Sequence, residues 1–121
     1  VRFLGTVPRT ALPSLYSSVD LLLATSFASE TFGISLVEAQ ACGLPVVASR
    51  FGGFPEVVDE GRTGLLVPPR DPHALAETVR SFLEDPPRRT AMAAAAPSWA
   101  AQFTWSAVGD RVEETYRAVM V

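Results

Sequence analysis

The chain has 121 residues, 48% apolar and 19% charged, which is the composition of one soluble globular domain and excludes a disordered tail. Its net charge of -3 excludes the clustered positive surface that a sequence-independent grip on nucleic acid requires. The single cysteine, Cys42, cannot form an internal disulfide, and between Ala41 and Gly43 it reads as a small packing residue. Neither an apolar run long enough to span a membrane nor a basic segment leading into an apolar one is present, so a cytoplasmic location is expected.

In chain order, Val1 to Leu4 reads as a short strand ending at Gly5, followed by a loop through Val7 and a helix with Leu12, Leu15 and Val19 on one face. Leu21 to Ala24 is a continuous apolar run, as expected of a parallel strand covered on both faces. A polar loop leads to Glu30, and a helix is predicted from about Thr31 to Ala41, stopped by Gly43 and Pro45. Val46 to Ala48 forms the next buried strand, Gly52 and Gly53 lead into a short helix near Pro55 to Val58, and a Gly61 to Gly64 turn feeds a strand at Leu65 to Val67. Asp71 is an N-cap with Pro72 at the first helical position, starting a helix whose Leu75, Val79 and Phe82 share a face. Two further helices follow Pro86 and Pro87, the last with Val108, Val112, Tyr116 and Val119 on one side. Trp99 and Trp105 read as packing residues.

Short buried strands alternating with helices predict an α/β fold: a Rossmann-like parallel sheet with helices on both faces. Residues 1–121 form one unit with no internal repeat or linker, and four strands opening abruptly at Val1 suggest that the sheet's first strands lie outside this sequence.

The chemistry concentrates between Glu30 and Pro45. Glu38 is the only charged residue between Thr31 and Ser49 and lies in an apolar helix, so it needs a polar partner. In doubly wound sheets, ligands bind beyond the carboxyl ends of the strands, where the loop after Leu23 delivers Glu30 and the helix start. The first turn of that helix offers free N–H groups suited to a phosphate. Gly33 is read as allowing close approach of a ligand. Glu38 lies one to two turns on, roughly 6 to 8 Å by helical rise. A nucleotide sugar fits this spacing, with its diphosphate at the helix start, its sugar near Glu30 and its ribose near Glu38; a carboxylate can accept from two neighbouring hydroxyls.

Glu30, Thr31, Phe32, Gly33 and Ile34, then Glu38, Ala39, Ala41, Gly43, Pro45, Val46 and Val47, resemble the E-x(7)-E signature of the retaining glycosyltransferases with two Rossmann-like domains, the GT-B glycosyl transferases group 1 family. Phe3, Gly5, Val7, Leu15, Tyr16 and Asp20 resemble the unit before the signature. The unit after it is matched by Gly52, Gly53, Pro55, Glu56, Val57, Gly61, Gly64, Leu66, Val67 and Pro68. The resemblance implies the carboxy-terminal portion of a nucleotide-sugar-binding domain, and transfer of a sugar from a UDP-sugar or GDP-sugar to an acceptor with retained configuration.

By this resemblance Glu30 contacts the transferred sugar and is the catalytic candidate, while Phe32, Gly33, Ile34 and Ser35 face the sugar and diphosphate. Glu38 holds the ribose and Val7 lies against the base. No metal or further cofactor is implied. The family's diphosphate-neutralising arginine and lysine come from earlier in the same domain, and every one of the ten basic residues here is arginine. Acceptor contacts and a reaction-centre histidine belong to an amino-terminal domain, which is the implied partner and the part through which peripheral membrane association of the whole enzyme would occur. The chain alone is therefore expected not to catalyse transfer.

Plainer explanations exist for several of these residues. Glu30 suits the positive end of a helix dipole, and Glu38 could pair with a structural arginine such as Arg50. His73, following Asp71 and Pro72, reads as a solvated surface residue. Glu56 reads as holding its local loop through backbone hydrogen bonds. A non-catalytic nucleotide-sugar-binding or regulatory module would retain the same fold and pocket, and a nonfunctional truncated product is a third reading.

Overall fold

The computed structural model describes residues 1–120. Three parallel strands form the sheet in the order β1 (Leu22–Ala24), β2 (Val46–Ser49), β3 (Gly64–Val67). Six α-helices accompany them among the described residues: α1 (Leu12–Ser17), α2 (Ile34–Ala41), α3 (Phe54–Val57), α4 (Pro72–Leu83), α5 (Pro86–Ala100) and α6 (Trp105–Val119). Leu22 pairs with Val46 and Val46 with Gly64, so all three strands run in step.

Alternation along β2 separates the core into two faces. Val46 and Ala48 pack with Leu36 and Ala39 of α2 and with Phe54 and Val57 of α3. Val47 points the other way, onto Phe82 of α4 and Met92 of α5. All four β2 residues are buried, as expected for a strand covered on both faces. The fold is therefore the predicted Rossmann-like α/β arrangement with helices on both faces.

Helix starts follow their caps. Asp71 accepts from the Ala74 N–H at 2.9 Å, as its place before Pro72 predicted. Asp85 and Thr104 cap α5 and α6 in the same way, accepting from Arg88 at 3.1 Å and Ala107 at 3.3 Å. Each side chain satisfies an N–H that the first helical turn leaves without a partner.

Several expectations are corrected. Val1 to Leu4 is not a strand but exposed chain, because a strand exists only through a neighbour's ladder and no described strand lies beside it. The strand over Leu21 to Ala24 is an edge: Leu23 is 47% exposed, so it is not covered on both faces. The helix expected from Thr31 begins at Ile34, since Gly33 has φ +100° and ψ +52°, which helical geometry cannot continue. On α1 the buried residue is Tyr16, while Val19 is 44% exposed. Trp99 packs and donates its Nε1 hydrogen to the Val57 carbonyl at 2.9 Å, but Trp105 is 92% exposed. The one-sided apolar stripe predicted for α6 is present and lies uncovered: no α6 residue is buried, and Val112, Tyr116 and Val119 are exposed.

Candidate functional site

The carboxyl ends of the strands are tied together before any site residue is reached. Ser49, closing β2, donates from its hydroxyl to the Ser26 carbonyl at 2.6 Å and the Ala24 carbonyl at 3.3 Å. The loop after β1 is thus fastened to the end of β2. Further along, it lies directly on the Gly52–Gly53 turn: a Cβ on Gly52 would overlap the Glu30 carbonyl, and one on Gly53 would sit 2.7 Å from the Phe32 Cα. Gly52 also has φ +56°, a conformation that favours glycine. Two glycines therefore let the Glu30–Phe32 backbone descend onto the turn after β2.

Glu30 is half-buried, and its Oε1 accepts from the Phe32 N–H at 3.3 Å. Phe32 meets Phe103 edge-to-face with centroids 5.8 Å apart, and Phe103 in turn meets Trp99 at 5.9 Å. The α5–α6 connection is thereby joined to the site loop. Ile34 and Ser35 are exposed at the start of α2, where the first turn leaves N–H groups without intrahelical acceptors. Gly33 does not serve the purpose first read for it. It is buried, and a Cβ there would lie 2.8 Å from Cδ1 of Phe54 and 3.4 Å from Cγ2 of Val57. Its missing side chain makes room for the Phe54 ring, and its backbone supplies the positive φ that starts α2.

Glu38, half-buried on α2, has a partner: the Tyr16 hydroxyl donates to its Oε2 at 3.2 Å. Arg50 is engaged elsewhere, with Nη2 2.8 and 3.0 Å from the two carboxylate oxygens of Glu60. Beside the Tyr16–Glu38 pair opens a cavity of about 260 Å³, lined by Arg9, Leu12, Pro13, Ala41 and Cys42. Val7, half-buried, lies two residues before Arg9 in the chain and does not itself line the cavity. Arg9 was not singled out from the sequence, because only the packing of α1 and the turn before it against α2 brings it to the cavity that Glu38 borders.

Burial raises the Tyr16 pKa above its ordinary 10.0, and the adjacent Glu38 charge and the hydrogen bond to it raise it further. The phenol therefore stays a neutral donor to Glu38 through the whole neutral range. The unfolded chain releases this proton first, so stability that is fully present below pH 10 declines as the pH climbs toward the raised folded value. Denaturant midpoints are expected to fall above pH 10, and Tyr16→Phe should flatten that decline. An equally steep decline in the variant would show that Tyr16 does not cause it.

His73 is exposed in the first turn of α4, and Glu56 is exposed and makes no side-chain hydrogen bond among the described residues, so it does not hold its loop in the way expected. No group of three or more His, Cys, Asp or Glu side chains able to hold a metal occurs among the described residues. No helix there is long and apolar enough to cross a membrane.

Residues 1–99 match the model of the glycosyl transferases group 1 family. The chain belongs to that family. Among curated relatives, D-inositol 3-phosphate glycosyltransferase of Corynebacterium diphtheriae is 43% identical over 116 residues, covering 96% of this group 1 chain but 27% of the relative. The chain thus spans about a quarter of the length of the curated relatives it matches. Sucrose-phosphate synthase of Thermosynechococcus elongatus superposes with a TM-score of 0.86 at 35% identity, covering 99% of this chain and 30% of that one. HepE of Anabaena, solved with UDP and glucose, gives a TM-score of 0.85 at 35% identity over 98% of this chain and 32% of its own. Both superpositions extend over nearly the whole chain.

Proposed function

We propose that residues 1–121 form the carboxy-terminal portion of a nucleotide-sugar-binding domain in an enzyme that transfers a sugar from a nucleoside diphosphate sugar to an acceptor with retention of configuration. The observation that carries this reading is the joint placement of Glu30 and Glu38. The Gly52–Gly53 turn holds the Glu30 backbone at the carboxyl edge of the sheet, and α2 carries Glu38 to the cavity beside Tyr16 and Arg9.

In this reading the sugar hydroxyls meet Glu30, and the diphosphate meets the backbone from Phe32 to Ser35 at the start of α2. Orientation of the donor, rather than proton transfer, is the contribution of these residues. The neutral Tyr16 hydroxyl fixes one oxygen of Glu38, leaving its other lone pairs for the ribose hydroxyls. Arg9 lines the cavity, and Val7, two residues before it, is assigned to the base. HepE, solved in complex with UDP and with UDP-glucose, supports a uridine donor. The acceptor is bound by another domain, and the leaving diphosphate needs further cations, so the chain alone binds donor without transferring sugar.

Calorimetric titration of the purified chain with UDP-glucose and with a GDP-sugar tests the reading. Binding of the uridine compound is expected, weakened about 10- to 100-fold in Glu38→Ala through loss of charge-assisted hydrogen bonds. A folded chain that binds neither nucleotide sugar, or binds equally well without Glu38, would overturn it.

A further inference from the structure

The loop that presents Glu30 is also gripped from β3. Arg70, in the turn between β3 and α4, has φ +57°, a left-handed conformation that side chains rarely adopt and that glycine accepts freely. Its guanidinium carbon lies 4.6 Å from the centroid of the Phe27 ring, three residues before Glu30. Phe27 is 48% exposed, so burial alone does not hold the ring in place. Both residues wall a cavity of about 310 Å³ at the carboxyl edge of the sheet, together with Ser49, whose hydroxyl fastens the same loop at Ser26. Ser29, next to Glu30, has φ +60°, so the loop turns sharply between the ring and the carboxylate.

We propose that Arg70 is a positioning residue: stacked on Phe27, it holds the 25–30 loop in the conformation that aims Glu30 at the donor sugar. The proposal rests on the donor-binding reading above. A residue whose side chain served only solvation would gain nothing from a backbone state that glycine adopts more easily. Here the unfavourable φ places the guanidinium over the ring, where a cation is attracted to the aromatic face. Glu38 and the cavity beside Tyr16 belong to another part of the site, so the clamp should affect the sugar and leave the nucleotide alone.

Three variants test it: Arg70→Gly, which removes both the cation and the strained φ; Arg70→Lys, which keeps a cation; and Phe27→Leu, which removes the ring alone. Amide hydrogen exchange at residues 26–30 is read in the free chain, and UDP and UDP-glucose are titrated separately. In Arg70→Gly the thermal midpoint should hold or rise, exchange at residues 26–30 should quicken about threefold to tenfold, and the preference for UDP-glucose over UDP should fall by a similar factor. Phe27→Leu should reproduce the faster exchange, and Arg70→Lys should restore part of the protection. UDP affinity should not change in any of them. Unaltered exchange in Arg70→Gly and Phe27→Leu, or a parallel loss of UDP and UDP-glucose binding, would overturn the proposal. A wild-type chain that binds no nucleotide sugar would refute the donor reading instead, and the exchange comparison would still decide the clamp.

Discussion

Gly53→Ala is expected to destabilise the chain by about 3 kcal/mol and to abolish donor binding even where the variant stays folded. The added methyl would overlap the Thr31 carbonyl and lie 2.7 Å from the Phe32 Cα, and neither backbone group can swing aside as a flexible side chain would. Relief requires the Glu30–Phe32 segment to rise off the turn after β2. That movement would also disturb Gly33 and the Phe54 ring lodged against it, because the two lie on the same short run of backbone. Urea denaturation measures the stability loss, and titration with UDP-glucose below the transition measures the binding loss. Wild-type affinity in a destabilised variant would show that the Gly–Gly turn serves folding alone and does not shape the site.

Gln40→Ala should cost a similar amount of stability, about 3 kcal/mol, while leaving the donor affinity of the folded fraction unchanged. Gln40 is fully buried on α2, and each half of its amide is engaged. Nε2 donates to the Leu36 carbonyl at 3.0 Å and the Val57 carbonyl at 2.9 Å, and Oε1 accepts from the Thr63 hydroxyl at 2.7 Å. One side chain thus joins α2 to the end of α3 and to the turn entering β3. Alanine would leave the Thr63 hydroxyl without this acceptor in a fully buried position and open a void beside it. Because Gln40 points into the core while Glu38 borders the cavity beside Tyr16, stability and affinity should separate. Loss of affinity matching that of Glu38→Ala would show that the network positions the site as well as the core.

The parts of the fold that were legible in the sequence are those set by local pattern. Val46 to Ala48 announces a buried strand by unbroken apolar character, and the Asp71–Pro72 pair fixes the start of α4 through one side-chain hydrogen bond. Glu38 was legible as a carboxylate in need of a partner, but not the identity of the partner, since Tyr16 lies 22 residues away and only tertiary packing brings it there. The start of α2 was placed too early because the decisive quantity is the backbone angle of Gly33, which depends on Phe54 and Val57 packing beneath it. Gln40 was not singled out, since an uncharged glutamine is mostly found on solvated faces and only the packing of α2 on Val57 and Thr63 shows it to be buried. Val1 to Leu4 has the composition of a strand, yet composition supplies no neighbour to pair with.

A thermodynamic cycle decides whether Glu38 holds the ribose of a nucleotide donor. UDP and its 2′,3′-dideoxy analogue are titrated by calorimetry against the wild-type chain and against Glu38→Ala. Removing the ribose hydroxyls should weaken binding to the wild-type chain at least about tenfold and have no further effect once Glu38 is gone. Equal losses in the two proteins would mean that the hydroxyls and the carboxylate do not meet, and the assignment of this cavity to the nucleotide would be wrong.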